Sequence, residues 1–129
     1  MLRDGLLNPH VLSLLARIRH TNTLVVADSM FPSWPGVETV DLSLVYGVPT
    51  VPQVVAAVLA QWHGGVARMA AEFHDHNDAG IRAEFAAAFG ATRVEYEPHL
   101  DLKRRVPGAI GLIRTGERRI YTNVLLESA

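Results

Sequence analysis

Apolar positions follow two rhythms along this chain, one helical and one alternating. Val11, Leu14, Leu15 and Ile18 recur at three- and four-residue spacing, which places them on one face of a helix. Asn8-Pro9 just before them supplies an N-cap and a first-turn proline, and Arg17 and Arg19 suit the negative end of the helix dipole. The pattern predicts a helix from about Pro9 to Arg19. The short β-branched run from Thr23 to Ala27 then reads as a buried strand. Val37 to Leu42 alternates as a second strand. Past the break at Gly47-Val48-Pro49, Thr50 and Gln53 have capping-box spacing. Val51, Val54, Val55, Val58, Leu59 and Trp62 form the apolar face of the helix they open, and Gly64-Gly65 ends it.

Val66 to Ala71 reads as a third strand. Asn77 or Asp78 caps a helix with Ile81, Phe85 and Ala88 on its apolar face and Gly90 at its C-terminal cap. Thr92 to Tyr96 alternates as a fourth strand, Pro98 to about Arg105 forms a short helix, and Pro107-Gly108 breaks it. Ala109 to Arg114 is a fifth strand, Thr115-Gly116-Glu117 a turn, and Ile120 to Leu126 a sixth strand. Helices alternating with strands predict an α/β fold: a three-layer α/β/α single domain over residues 1–129, with a largely parallel six-stranded sheet. The Thr115-Gly116 link is too short for a parallel crossover, so the last strand pair is expected to be antiparallel.

Composition narrows the function. At 49% apolar and 19% charged, the chain is an ordinary globular domain. A net charge of -1, with Arg104-Arg105 and Arg118-Arg119 as the only basic doublets, gives no case for nucleic acid. There is no cysteine, so disulfides and thiolate catalysis are excluded. No apolar run reaches the length of a membrane span, and the opening residues do not form a secretory signal, so a cytoplasmic location is expected. No phosphate-binding glycine loop or dinucleotide fingerprint is present.

The Glu72 to Asp78 segment concentrates two histidines and several carboxylates, but His74 and His76 diverge on a helix and no third ligand is obvious. A polar loop is the expectation there, with no metal and no cofactor. Phe31 and Trp34, in the loop after Asp28, could pack beneath it or line a pocket on which a sugar face would stack.

Three local pairs carry candidate chemistry: His20 with Asp28 across the first strand, His99 with Lys103 on one face of a short helix, and Tyr121 with Asn123 on one face of the last strand, opposite Thr122. Each has an ordinary alternative: a carbonyl-bound histidine, a turn-capping aspartate, a solvated helix face, sheet-edge hydrogen bonds. Together they offer an acid/base group, an anionic acceptor, a cation, a phenol and an amide. That inventory suits a polyhydroxylated ligand.

Several separated stretches, in order, resemble the D-ribose pyranase and L-fucose mutarotase family. They are His20-Thr21-Asn22-Thr23-Leu24-Val25-Val26-Ala27-Asp28, Asp41-Leu42-Ser43-Leu44 with Gly47-Val48-Pro49, and Ile113-Arg114-Thr115-Gly116-Glu117 with Tyr121-Thr122-Asn123. The resemblance implies a cofactor-independent isomerase of monosaccharide ring forms, with D-ribose as the expected substrate. It implies His20 as the catalytic proton donor, and Asp28, His99, Lys103, Tyr121, Thr122 and Asn123 as substrate-binding residues. It also implies a homo-oligomer, commonly a decamer, with sugar sites near subunit contacts. His99, Lys103 and the Asp41 segment resemble the ribose branch, whereas Phe31-Pro32 resembles the fucose branch. An L-fucose-type mutarotase and a non-catalytic sugar-binding or transport-accessory protein are the alternatives.

The first strand creates a geometric difficulty. At ~3.3 Å per residue its ends lie roughly 15 Å or more apart, so His20 and Asp28 cannot both touch one small sugar if the strand is straight. Either Thr21-Asn22 folds His20 back, or the site is shared between subunits; the shared site is the expectation.

Overall fold

The computed structural model describes all residues, 1–129. Its elements run α1 (Pro9–Ala16), β1 (Thr23–Ala27), β2 (Thr39–Asp41), α2 (Val51–Leu59), β3 (Gly64–Ala70), α3 (Phe73–His76), α4 (Ala79–Phe89), β4 (Arg93–Glu97), α5 (His99–Arg105), a 3-10 turn (Val106–Gly108), β5 (Gly111–Arg114) and β6 (Val124–Ser128). The six strands form one sheet in the order β2-β5-β1-β6-β3-β4. β1 and β2 pair with β5 in parallel, as β3 does with β4, while β6 is antiparallel to both β1 and β3. The last strand is antiparallel, but the expected pair with β5 does not form, since the connection is longer than the Thr115-Gly116 turn. The neighbours of β6 are β1 and β3 rather than β5, because residues 115–123 carry the chain across the sheet edge instead of closing a hairpin.

Alternation along the strands divides the core into two layers. Leu24 and Val26 of β1, Met69 of β3 and Ile113 of β5 pack against Val11 and Leu14 of α1, Val51, Val55 and Val58 of α2, and Phe85 of α4. Val25 and Ala27, with Leu112 and Leu125, face the other way onto Leu102 of α5, Val106 and Phe31. The three layers follow directly from that alternation.

The caps explain the element boundaries. Asn8 accepts from the amides of His10 and Val11, and Thr50 and Gln53 form the reciprocal capping box. α1 stops at Ala16, short of Arg19, and the Arg19 guanidinium donates to the carbonyls of Ala16 and Ile18 at 2.9 and 2.8 Å. Asp78, not Asn77, caps α4, accepting from Ile81 at 2.9 Å. Gly64-Gly65 opens β3 instead of ending α2, which stops at Leu59. The Glu72 to Asp78 segment contains a one-turn helix rather than a continuous loop. β6 begins at Val124, so Tyr121 and Asn123 precede the strand instead of sharing its face; Tyr121 takes φ 57°, which no extended strand can accommodate.

Candidate functional site

β1 and β6 are antiparallel neighbours, with Val26 paired to Val124. The residue leaving β1, Asp28, and the residue preceding β6, Asn123, therefore meet at one edge of the sheet. Asn123 Oδ1 accepts the Asp28 amide at 2.8 Å and Asn123 Nδ2 donates to Asp28 Oδ2 at 3.0 Å. The Met30 amide donates to Asp28 Oδ1 at 2.9 Å. These bonds fix the carboxylate plane and leave acceptor capacity on each oxygen.

α5 brings His99 and Lys103 to the same edge, one turn apart on one helix face. With Asp28, Tyr121 and Asn123 they form the polar wall of an open cavity of about 320 Å³, and Met30, Phe31, Pro32 and Ile120 form its apolar wall. His99 Nδ1 is buried and makes no hydrogen bond within the protein, while the residue lines the cavity. Phe31 lines the cavity and packs in the core beneath it at once, so both expectations for this ring hold; Trp34 only packs, 6.5 Å from Phe31 between ring centroids. One carboxylate, one ammonium, an imidazole, a phenol and an amide around so small a volume match a neutral ligand with several hydroxyls.

Thr122 does not reach the cavity. It is fully buried, and its hydroxyl donates to the carbonyl of Arg119 at 2.7 Å, fixing the turn that presents Tyr121. His20 lies elsewhere. Thr21, at φ 64°, turns the chain toward the end of β6, and His20 Nδ1 sits 2.5 Å from the main-chain oxygen of Ala129. There His20 lines a separate depression with Ile18, Trp62 and Ser128, at the opposite edge of the sheet from Asp28. The Thr21-Asn22 fold-back therefore exists, but it points away from the cavity.

Behind the cavity the buried carboxylate of Glu117, 2% exposed, organises the connection from β5 to β6. It accepts from the amides of Val51, Arg118 and Arg119 at 3.2, 3.0 and 3.1 Å and from the Arg119 guanidinium at 2.7 and 2.8 Å. Arg119 also reaches Glu84 of α4 at 2.6 Å. Burial pushes the Glu117 carboxyl up, but the Arg119 guanidinium and the surrounding amides more than offset this and hold it below its ordinary value. Glu117 stands within the recognised Thr115-Gly116-Glu117 stretch, yet sequence reasoning assigns it no role: its burial follows from the turn closing onto α2, where the Val51 amide donates to it, and no local pattern announces that contact. No group of three or more His, Asp or Glu side chains is placed to hold a metal ion. His74 packs on Tyr96 and His76 on Tyr121, with ring centroids 4.2 and 4.7 Å apart. No helix is long and apolar enough to cross a membrane.

The fold and cavity define a class: a three-layer α/β domain whose strand edge carries a small, polar, hydroxyl-matching cavity. The chain belongs to the RbsD / FucU transport protein family, whose model matches residues 1–129. It is 40% identical to the D-ribose pyranase of Chromobacterium violaceum over 129 residues, covering 99% of this chain and 97% of that one. It is 34% identical to the D-ribose pyranase of Bacillus licheniformis over 128 residues, with the same coverage. The structure of Bacillus subtilis RbsD complexed with D-ribose superposes with a TM-score of 0.91 at 31% identity, covering 100% of this chain and 98% of that one. The fucose mutarotase of Streptococcus pneumoniae, solved in complex with L-fucose, shares the fold at a TM-score of 0.80 and 18% identity, covering 95% and 92% of the two chains.

Proposed function

We propose that this protein is a cytoplasmic monosaccharide ring-form isomerase, a D-ribose pyranase that interconverts pyranose and furanose forms without a cofactor. The observation that carries the reading is the cavity itself. Asp28, His99, Lys103, Tyr121 and Asn123 converge on about 320 Å³ in a chain alike over nearly its whole length to proteins named D-ribose pyranase.

The reaction asks little of a protein. A base removes the proton of the anomeric hydroxyl, the bond from the anomeric carbon to the ring oxygen breaks as the aldehyde forms, and an acid protonates the ring oxygen. Closure through a different hydroxyl reverses those transfers. An imidazole can accept a proton at one nitrogen and donate one in the reverse step, worth about 10²–10⁴-fold. His20 takes this role. Asp28, held by Asn123, accepts sugar hydroxyls; the His99 imidazole and the Lys103 ammonium complete the polar contacts, Tyr121 forms the wall beside His99, and Thr122 contributes by holding the Tyr121 turn.

His20 acts from a neighbouring subunit of a homo-oligomer, a decamer on the family resemblance. Two features support this. His20 sits at the opposite edge of its own sheet, next to Ala129. The sugar cavity also exposes large apolar side chains on its wall: Met30 is 76% exposed and Ile120 55%, as expected of a surface that another copy covers.

The apolar wall of Met30, Phe31 and Pro32 favours a second reading, an L-fucose-type mutarotase, because it offers a surface for the methyl group of a deoxy sugar. Exchange-sensitive NMR of ribose, fucose and galactose, with and without protein, tests both readings. Faster pyranose–furanose exchange of ribose supports the first, and faster anomer exchange of fucose alone supports the second. Binding of these sugars with no acceleration of any would leave a sugar-binding protein and refute the enzyme.

A further inference from the structure

The α3 segment contributes no side chain to the cavity wall, yet three of its residues hold the groups that do. The Glu72 carboxylate, in the connection from β3 to α3, accepts the His99 amide through both oxygens, at 3.2 and 3.0 Å. The His76 ring lies against Tyr121, with centroids 4.7 Å apart and planes at 55°. His99 meets the same tyrosine edge-on, at 5.3 Å and 83°. Asn77, 6% exposed, donates to the carbonyls of Phe73 and Ile120 at 3.0 and 3.1 Å, tying the segment to the residue before Tyr121. His76 is itself oriented through Nδ1, 2.9 Å from the Glu72 carbonyl oxygen.

We infer that the turn from Glu72 to Asn77 positions the sugar-facing side chains, His76 fixing the ring of Tyr121 and Glu72 fixing His99; as a positioning role it rests on the sugar site proposed above. Tyr121 is held at φ 57°, a backbone conformation that non-glycine residues take only when the surroundings impose it. Its ring stands between two imidazoles, and only one of them, His99, lines the cavity. Without His76 the phenol loses the contact that keeps it against His99. The outward placement of His76 speaks against a core-stabilising role, since an exposed ring adds little to the stability of the fold. The Glu72 carboxyl is held below its ordinary value chiefly by hydrogen bonds from its own backbone amide and that of His99. It is therefore an ionised acceptor at neutral pH, the stronger partner for an amide.

The test compares His76→Ala with His76→Phe, and Glu72→Ala with Glu72→Gln. Two measurements are made on each: Tyr121 ring and His99 amide NMR shifts without sugar, and ribose KM and kcat from ring-exchange NMR. An aromatic pair of this kind is worth about three- to tenfold in an equilibrium, so H76A should raise KM by that factor with kcat within about twofold. H76F should return KM to within about twofold of the parent. E72A should move the His99 amide proton upfield and raise KM, and E72Q should recover part of both. Thermal midpoints should stay close to that of the parent. The inference is overturned if H76A leaves the Tyr121 shifts and KM unchanged, or if its KM rises only with a fall in thermal midpoint that H76F does not reverse. If the unaltered protein accelerates ring exchange of no sugar, the proposed function fails, and the Tyr121 and His99 shifts of the sugar-free variants still decide the positioning.

Discussion

Asn123 grips Asp28 at two points, accepting its backbone amide at 2.8 Å and donating to its carboxylate at 3.0 Å, and is itself only 3% exposed. One side chain thereby fixes both where the chain leaves β1 and how the carboxylate faces the cavity. Hydrogen bonds to a charged group contribute about 1.5–3 kcal/mol, so Asn123→Ala should raise KM for the sugar by about one to two orders of magnitude. Asn123→Asp should behave differently. It places a second carboxylate beside the first, which raises the pKa of the pair. Its KM should be worst near neutral pH and improve as the pH falls and one proton is shared, whereas the alanine variant should show no such recovery.

Glu117 makes a separate prediction about stability. Its carboxyl is lowered in the folded state from an ordinary value of 4.5, so the folded protein releases this proton more readily than the unfolded chain. The stabilisation is present above the unfolded value and is lost as the pH falls through the lower folded value. Glu117→Gln should therefore flatten the acid side of the stability–pH curve and weaken folding near pH 7. Glu117→Ala should cost more, about 2–4 kcal/mol, because it strands the amides of Val51, Arg118 and Arg119. Urea unfolding between pH 3 and pH 7 measures both.

Gly116 shows why its loop tolerates no side chain. Its amide donates to Pro49 at 2.8 Å. A Cβ there would overlap the carbonyl oxygen of Val45 and lie 2.6 Å from that of Val48. The obstacles are backbone atoms, so they cannot swing aside. Gly116→Ala should destabilise the fold by about 1–3 kcal/mol, read as a lower urea midpoint with an unchanged slope, and should disturb amide resonances across residues 44–50.

The helices and strands were legible where local chemistry decides them. The Thr50–Gln53 capping box and the valines of α2 announce that helix, and the apolar run of β1 announces a strand buried on both faces. The four-residue spacing of His99 and Lys103 was enough to put them on one wall. What spacing could not show was non-local. Asp28 and Asn123 meet only because β6 inserts between β1 and β3, a pairing for which the chain carries no local signal. Alternation from Ile120 to Leu126 extends a strand over Tyr121, yet its backbone is left-handed there. The role of Glu72 depends on His99 of α5 and the burial of Glu117 on its contact with Val51 of α2, and no spacing rule reaches either. The rise per strand residue, by contrast, sufficed to set His20 apart from Asp28.

That separation leads to the prediction that discriminates best between a complete and a shared site. If His20 served the cavity of its own chain, His20→Ala and Asp28→Ala would each kill every site they enter, and mixing the two proteins would restore nothing. If His20 reaches the cavity of a neighbour, each variant still carries the half the other lacks. In a randomly mixed homo-oligomer an Asp28→Ala subunit supplies His20 to a His20→Ala subunit with its Asp28 intact at about a quarter of the interfaces. Each variant alone should lose most of the ~10²–10⁴-fold that general acid/base catalysis provides. The variants co-expressed, or unfolded and refolded together, should regain up to about a quarter of the parent rate. The regain should vanish when they are mixed as preassembled oligomers that do not exchange subunits. Ring-exchange NMR on the two preparations reads the difference, and an absence of recovery after co-refolding into oligomers of parental size would place His20 outside the neighbour's site.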